Sequence, residues 1–495
     1  MPPRPDNDCL PYLRALSDES RWSIVRTLVA APGPLTLGDL ASRVALSDYN
    51  ASRHVRILHE AGILTVTREG RFKWIGINPD FRSRLRSRTG SQILDLGCCR
   101  FEFGENPPAS PGERLPQAAA GLSTLRAMAS PARYLMIGGF LGAGKTTAVA
   151  AVARHLSDAG KRIGLITNDQ GRGLVDTLML RSRGFATEEI AGGCFCCKFN
   201  SLVDAAARLD ADAAPEVFIA EPVGSCTDLV ATVTYPLRRI YGERFSVAPL
   251  SVLVDPMRAR RILGLESGPG FSDKVVYIYR KQLEEADLIV ISKSDLLDEA
   301  GVKELRTALE REFPGSRVLS ISARTGAGLD EWFSILESEE QVRAVSMEID
   351  YDTYAGGEAL LGWLNASIEL RADGEVDATP LLQQLAREIQ QLLVADGAEV
   401  AHLKMTLSPE NAFVGEVAVV NLVRNDFLPE MGQELDEPIE AGQIILNLRA
   451  EADPERLESI VRAAIGSVAN PACRLSLEHL ERFRPARPVP THRDA

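Results

Sequence analysis

A chain of 495 residues is too long for one core, so two to four domains are expected. Hydrophobic residues at 45% and charged residues at 25% are ordinary for a soluble globular protein; no apolar run approaches bilayer-crossing length, and the opening "MPPRPDNDCL" has neither a basic nor an apolar leader region. A cytoplasmic protein without membrane contact is expected, and there the eight cysteines read as metal ligands or redox groups before disulfides. The net charge of −13 is uneven: residues 1–100 hold fifteen Lys/Arg against ten Asp/Glu, the remainder forty against fifty-eight. A basic N-terminal module on an acidic chain suggests that this module alone meets nucleic acid.

The first elements are three short helices and a hairpin. "SDESRWSIVRTLVA" is capped at Ser17 or Ser20 and places Trp22, Val25 and Leu28 on one face, with Ile24 beside them. "TLGDLASRV" follows with Thr36 as its cap. "SDYNASRHVRILHEAG" is capped by Ser47; Ala51, Val55 and Leu58 face inward and Gly62 stops it, while Tyr49, Asn50, Arg53 and Arg56 face out. "ILTVTREGRFKWIGI" alternates about Glu69-Gly70 as a hairpin does. These are the parts of an α+β winged helix-turn-helix, with the third helix reading base edges and Arg68, Arg71 and Lys73 of the wing meeting phosphates. A winged helix kept for protein contacts is the alternative.

Through "LSDESRWSIVRTL", "LSDYNASRHVRILHEAGIL" and "REGRFKWIGI" this region, about residues 8–80, resembles the ArsR/SmtB metal-responsive repressors. It departs from them in "TLGDLASRV", where a cysteine pair is often found and none stands here. Beyond the wing, "LDLGCCRFEF" supplies Cys98 and Cys99, candidates for a different thiol site. Neighbours on a strand point to opposite faces, so one ion shared by the pair needs a bulge or a dimer partner. The domain is expected to span 8–100, and the Pro-, Gly- and Ala-rich stretch that follows, 104–130, to be a linker.

"RYLMIGGFLGAGKTTAVAAVARHL" then sets G-x-x-x-x-G-K-[ST] between an apolar strand and an alanine-rich helix, as a P-loop requires. Gly139, Gly142, Ala143, Gly144 and Thr147 would cradle the nucleotide phosphates, Lys145 would neutralise their charge, and Thr146 would bind Mg²⁺. Further strands end in polar residues. "RIGLITND" closes on Asn168 and Asp169, and "EVFIAE" on Glu221 with Gly224 beyond, a place for a γ-phosphate switch. "LSVLVDP", "ADLIVISKSD" and "RVLSISA" follow. Strands alternating with helices imply an α/β P-loop NTPase with a doubly wound, mostly parallel sheet over residues 131–342 and a ligand at the strands' carboxyl ends.

"SKSD", with Lys293 and Asp295, resembles the N-K-x-D motif of GTPases, whose Asp accepts two hydrogen bonds that guanine offers and adenine does not. Ala323 could add a backbone N–H to the guanine oxygen. GTP is therefore favoured over ATP. Ser292 replaces the motif's Asn, which braces base and P-loop, and losing one neutral hydrogen bond costs about 0.5–1.5 kcal/mol.

"GGCFCCKFN" gathers Cys194, Cys196 and Cys197 just before a helix and beside Lys198, a setting expected to lower thiol pKa. Three thiolates spaced C-x-C-C can converge on Zn²⁺ first, with Co²⁺, Ni²⁺ or Cu⁺ as alternatives, leaving a coordination position for exchange. A buried apolar cluster or a redox pair is the bland reading. Cys9, Cys226 and Cys473 read as ordinary small residues.

Together, "GGFLGAGKTT", N-D-x-G, "GGCFCC" and E-x-x-G closely resemble the CobW-type branch of the metal-chaperone GTPases, relatives of HypB and UreG, over about residues 133–335. The resemblance implies GTP hydrolysis coupled to metal delivery to a recipient metalloprotein. It assigns Cys194, Cys196 and Cys197 to metal, Lys145 and Thr146 to nucleotide and Mg²⁺, and Glu221 to the switch. The residues themselves place Asp169 with Glu221 to orient water, and Lys145, Thr146, Asp169 and Glu221 are the catalytic candidates. No residue stands out as a general base.

From residue 344 to 485 the pattern becomes β-α-β-β-β-α-β, fitting an α+β ferredoxin-like domain with room for an added strand and lacking the usual C-terminal pattern of that family. His402 and Lys404 share one face of a strand and read as structural. The tail "RPARPVPTHRDA" either stays loose or clamps onto a neighbouring surface. The leading reading is a GTP-hydrolysing metal chaperone carrying a DNA-binding module, dimeric if it reads a palindrome. A nucleotide- or metal-responsive regulator, and a maturation factor for a corrinoid or other metalloenzyme, are the alternatives.

Overall fold

The structure, a computed structural model, describes residues 12, 15–16, 19–31, 33–44, 48–69, 72–82, 85–88, 91–95, 100–103, 131–169, 180, 185–191, 193–341, 347–410, 417–469 and 472–493. Two compact units divide between Leu115 and Pro116.

In the N-terminal unit, helices Glu19–Ala30, Leu37–Arg43 and Asp48–Glu60 surround a small antiparallel sheet in the order β1 (Leu35–Thr36), β3 (Phe72–Ile77), β2 (Leu64–Glu69). This is a winged helix. Thr36 caps the second helix, its Oγ1 accepting from Asp39 N at 3.2 Å. Ser20 lies inside the first helix rather than at its cap, while Ser17 and Ser47 are outside the described residues. The expected inward residues do form the core: Ile24, Val25, Leu28, Val55 and Leu58 pack with Leu40, Ile75 and Phe81, and Ala51 is buried. Beyond a short turn of helix (Pro79–Arg82), β4 (Leu85–Arg88), β5 (Ser91–Asp95) and β6 (Arg100–Phe103) pair antiparallel. Cys98 and Cys99 fall between β5 and β6 in sequence, outside the described residues, as does the whole 104–130 stretch.

The second unit opens on a parallel sheet ordered β14 (Arg317–Ser320), β13 (Leu288–Ile291), β12 (Ser251–Val254), β7 (Ala132–Gly139), β10 (Val217–Glu221), β8 (Ile163–Asp169), β9 (Ala186–Ala191). The short β11 (Phe245–Val247) pairs with the start of β7. Strands such as β10, β12 and β13 are buried at every position, because helices cover both faces. β7 is central, and the carboxyl ends of β7, β8, β10, β12 and β13 open on one side. That is where a doubly wound sheet takes its ligand.

A six-stranded antiparallel sheet follows, ordered β18 (Glu430–Gln433), β17 (Ala418–Leu422), β16 (Glu399–Pro409), β19 (Ile439–Glu451), β15 (Leu361–Val376), β20 (Cys473–Phe483). Helices Ala378–Ala395 and Pro454–Val468 pack on one face through Leu364, Ile368, Leu403, Met405, Leu446 and their neighbours. The other face is polar: Lys404 pairs across to Asn421 and Asn447, and Asn447 to Asn365. Two differences from expectation stand out. The first strand begins only at Leu361, because Asp350 caps a helix over Tyr351–Leu360, and the middle of the domain has four consecutive strands instead of three. Leu361, Trp363 and Ala401 belong to the same buried core as Phe140 and Leu141, so this sheet docks directly on the P-loop.

Candidate nucleotide cleft and thiol site

β7 passes into the loop Gly139–Gly144 and then into the helix Lys145–Asp158. Gly139 has φ +131°, and a Cβ there would stand 2.4 Å from Leu253 O of the next strand, so only glycine fits. Gly142 (φ +79°) lies close to the C-terminal domain, though less tightly: its Cβ would meet Ala401 O and Val423 Cβ at 3.1 Å. Lys145 Nζ donates to Gly139 O (2.9 Å) and Phe140 O (3.3 Å), which places a buried cation against the loop. Thr146 Oγ1 donates to Glu221 Oε1 at 3.0 Å, joining the helix start to the end of β10.

Gly142, Gly144, Lys145, Thr146, Thr147, Asn168, Glu221, Lys293, Asp295 and Ala323 all line one cleft of about 330 Å³. Gly139 and Ala143 stand behind it in supporting positions. Asp169 closes β8 opposite Ala191, and its side chain is outside the described ones. Among the expected cleft residues, Ser292 departs from the forecast of a lost brace. Its hydroxyl shares its proton between Ala143 O (2.8 Å) and Val254 O (3.0 Å), so the shorter side chain still ties β13 to the P-loop. Asp295 Oδ1 accepts from Ser322 Oγ (2.6 Å), and its Oδ2 lies 3.6 Å from Arg324, leaving the carboxylate held in the cleft. Asp255, not singled out from the sequence, caps the helix Pro256–Ile262 and ion-pairs with Lys293 Nζ at 3.0 Å. Burial pushes its carboxyl up, but Lys293 and Arg258 outweigh that and hold it below the usual range. The Asp-Pro pair ending an apolar strand was the available signal.

Between β9 and the helix Phe199–Ala213 the chain folds into a turn in which Cys194 O accepts from Cys197 N (3.1 Å) and Lys198 N (2.9 Å). The turn points three sulfurs inward together: Cys194 to Cys196 is 2.6 Å, Cys194 to Cys197 3.2 Å, and Cys196 to Cys197 3.7 Å. They are free thiols, two buried and one half-buried. Sulfurs at about 2.3 Å from a tetrahedral ion stand about 3.8 Å apart, so a small spreading of this trio fits a zinc-sized ion. Cys226, read from the sequence as ordinary, is a buried free thiol near Cys194, next to the group of three sulfurs rather than within it. The expected lowering of thiol pKa holds at Cys194 and not at Cys196 or Cys197. Cys194 is held well below the ordinary range by hydrogen bonds from Cys196, Cys197 and Cys226, whereas its contact pushes Cys196 up and Cys197 up to about 11. Lys198 is exposed, and the thiols act mainly on one another: the first to ionise makes the others harder to ionise.

Asn168 links the two sites. It lines the cleft, and its Nδ2 donates to Ile190 O (2.9 Å) and to Gly193 O (2.7 Å), the residue preceding Cys194. Its Oδ1 is buried and has no partner among the described residues. A second link runs along the chain, from Glu221 beside Thr146 to Cys226 five residues on. The C-terminal segment clamps over the far side of the thiols: Val489 N donates to Cys197 Sγ (3.2 Å), Thr491 N to Cys196 O (2.8 Å), and the His492 ring packs edge-on against Phe199. Of the DNA-facing candidates, Arg56 alone has a described side chain, half-buried on the helix Asp48–Glu60. The side chains of Tyr49, Asn50, Arg53, Arg68, Arg71 and Lys73 lie outside the described ones.

The fold and cleft define a parallel-sheet P-loop domain whose cleft is tied through Asn168 to the loop carrying a thiol cluster, and a winged helix precedes it in the chain. Residues 133–319 match the family described as CobW/HypB/UreG, nucleotide-binding domain, and residues 16–67 match a helix-turn-helix domain. The chain thus carries a CobW/HypB/UreG nucleotide-binding domain together with an N-terminal ArsR-like helix-turn-helix domain. Among curated relatives, "Zinc chaperone CobW" of Sinorhizobium sp is 30% identical over 37% of this chain and 57% of its own length. "Zinc chaperone YeiR" of Escherichia coli (strain K12) is 28% identical over 33% of this chain and 47% of its own. The chain therefore spans about half the length of these relatives. The N-terminal segment is 34% identical to an uncharacterized HTH-type transcriptional regulator, YceK, of Bacillus subtilis (strain 168), over 14% of this chain and 67% of that one. No described helix is long and apolar enough to cross a membrane.

Proposed function

We propose that this chain is a GTP-hydrolysing metal chaperone whose cargo site and nucleotide cleft are coupled, joined to a DNA-binding winged helix. The observation that carries the reading is the pair of hydrogen bonds by which Asn168, in the cleft, holds the loop that presents Cys194. A change in the phosphates felt at Asn168 is passed to the sulfurs through two carbonyls. Zn²⁺ is the first-ranked cargo, with Co²⁺ and Ni²⁺ behind it, because thiol donors suit all three and relatives are described as zinc chaperones. Cys194, Cys196 and Cys197 would hold the ion, and Cys226 would complete a tetrahedron. A recipient metalloprotein would accept it.

The residues present also fit Mg²⁺: Thr146 Oγ1 stands beside Glu221, and the buried Oδ1 of Asn168 offers an acceptor on the same side. When bound, Mg²⁺ neutralises charge on the phosphates. In GTP binding Lys145 exchanges the carbonyls of Gly139 and Phe140 for phosphate oxygens, and the loop's N–H groups turn to the same anion. Glu221 and Asp169 would position the attacking water, and Asp295, with the Ala323 N–H, would select guanine.

The domain division 8–100, 131–342 and 344–485 belongs to the same proposal. So does a ferredoxin-like C-terminal domain, supported by the order β16-β19-β15-β20 with the β17–β18 hairpin added at one edge. In the N-terminal unit, Tyr49, Asn50, Arg53 and Arg56 would read the major groove and Arg68, Arg71 and Lys73 the phosphates, as a homodimer in the cytoplasm. A second reading, a metal- or nucleotide-responsive regulator, is favoured by the helix-turn-helix match itself. Both are tested by GTP turnover of the reduced chain with and without Zn²⁺, alongside DNA binding at several salt concentrations. The chaperone reading expects turnover that responds to Zn²⁺ and loses that response when Cys194, Cys196 and Cys197 become Ser. Turnover indifferent to metal, with zinc-controlled DNA binding, would favour the regulator.

A further inference from the structure

The C-terminal domain forms one wall of the nucleotide cleft, and that wall is rich in donors. Arg258, buried, reaches from the helix Pro256–Ile262 to Leu141 O of the P-loop with Nη1 and to Val400 O (3.3 Å), Ala401 O (3.2 Å) and Val423 O with Nη2. With Gly142 pressed on Ala401 and Val423, the P-loop and this wall cannot separate without stranding a buried guanidinium. The next residue is Arg424, 6% exposed and lining the cleft. Its Nε lies 3.2 Å from Asp426 Oδ1 and its guanidinium sits 5.5 Å over the Phe427 ring, which fixes the stem. Its Nη1 is buried without a hydrogen-bond partner among the described residues. A second donor of the wall, Trp363 Nε1, is likewise buried and unpartnered, and Lys404 and Arg449 line the same cleft. Two of the cleft carboxylates are matched by cations, Asp255 by Lys293 and Glu430 by Arg324. Arg424 Nη1 and Trp363 Nε1, buried donors in the lining of a P-loop cleft, call for an acceptor-rich anion.

We propose that Arg424 supplies, from the C-terminal domain and in the same chain, the positive charge that stabilises the phosphoryl group in flight. The proposal rests on the GTPase reading above. Water attacks the terminal phosphorus, the bond to the bridging oxygen breaks with its electron pair leaving on GDP, and the water proton departs with inorganic phosphate. Charge spreads over the phosphoryl oxygens during that step, and a preorganised, buried guanidinium in the cleft wall lowers its cost. Loss of phosphate then removes the ligand of the C-terminal wall, so this domain senses hydrolysis.

The test uses the full chain with Arg424→Ala and Arg424→Lys, measuring GTP turnover, GDP affinity, melting temperature and capture of GDP with aluminium fluoride. The expected result is a kcat lower by about 100-fold or more in Arg424→Ala, with KM and GDP affinity nearly unchanged and the aluminium fluoride complex lost. Arg424→Lys should recover part of both. Wild-type turnover and complex formation in Arg424→Ala would overturn the proposal. So would a parallel fall in kcat, GDP affinity and melting temperature, unrelieved by Lys, which marks a bracing role only. A wild-type chain that binds GTP but never hydrolyses it would instead sink the GTPase reading, and this proposal with it.

Discussion

Replacing Asn168 by Leu keeps the side chain's volume and removes both donors that hold the cysteine loop. Each neutral hydrogen bond contributes about 0.5–1.5 kcal/mol, so the two together can carry about 1–3 kcal/mol. That is the range of typical coupling free energies between two sites, about 5- to 150-fold in affinity. The wild-type chain should therefore bind Zn²⁺ with affinities differing by such a factor between its GTP-analogue and GDP forms. In Asn168→Leu the two should fall within about twofold of each other. The assay is competition for Zn²⁺ against a chromophoric chelator on reduced protein, with GDP binding and melting temperature as controls. A variant that keeps GDP binding and the full wild-type ratio would refute the claim that this side chain carries the signal.

Three other outcomes are expected. Cys226→Ser should weaken Zn²⁺ binding by tenfold or more and, with Co²⁺ as probe, lower the thiolate charge-transfer band; an unchanged spectrum would leave Cys226 outside the site. Asp295→Asn exchanges a charged acceptor, worth about 1.5–3 kcal/mol, for an amide and should weaken GTP about 10- to 150-fold while sparing ATP, so equal losses for both nucleotides would refute guanine selection by this residue. Glu285 is enclosed, accepting from Thr227 Oγ1 (3.2 Å) and Val230 N (3.0 Å), and burial pushes its carboxyl up to about 8. The folded state holds that proton after the unfolded chain has lost it near pH 4.3, so stability falls as pH rises to about 8 and the loss then levels off. Glu285→Gln should flatten this slope and melt higher than wild type at pH 8, by about 2–4 °C per kcal/mol recovered; an unaltered pH profile would count against it.

Much of this molecule was legible because its chemistry is local in sequence. The P-loop, the three clustered cysteines and the polar strand ends are contiguous motifs, and a parallel sheet converts such ends into one cleft. What escaped depended on contacts distant in sequence. Cys226 is unremarkable beside its own neighbours and gains meaning only when the loop after β10 folds back to Cys194. Ser292 looked like a lost brace because residue type was visible and reach was not; in the fold its hydroxyl lies 2.8 Å from the P-loop carbonyl. His402 and Lys404 read as structural; that their strand lines the cleft shows only in the fold, where the domain carrying them packs against Gly142. The thiol acidities were misjudged for a related reason. A helix start and a lysine can be read from sequence, whereas mutual hydrogen bonding among sulfurs appears only in three dimensions.

The account stands or falls on communication between the nucleotide and the sulfurs. Its most direct measurement is the zinc affinity of the reduced full-length chain, determined without nucleotide, with GDP, and with a non-hydrolysable GTP analogue. The account predicts one tightly bound ion whose affinity changes at least fivefold between the GDP and GTP-analogue states, with all dependence lost when the three clustered cysteines are replaced. Identical affinities in the three states would contradict it.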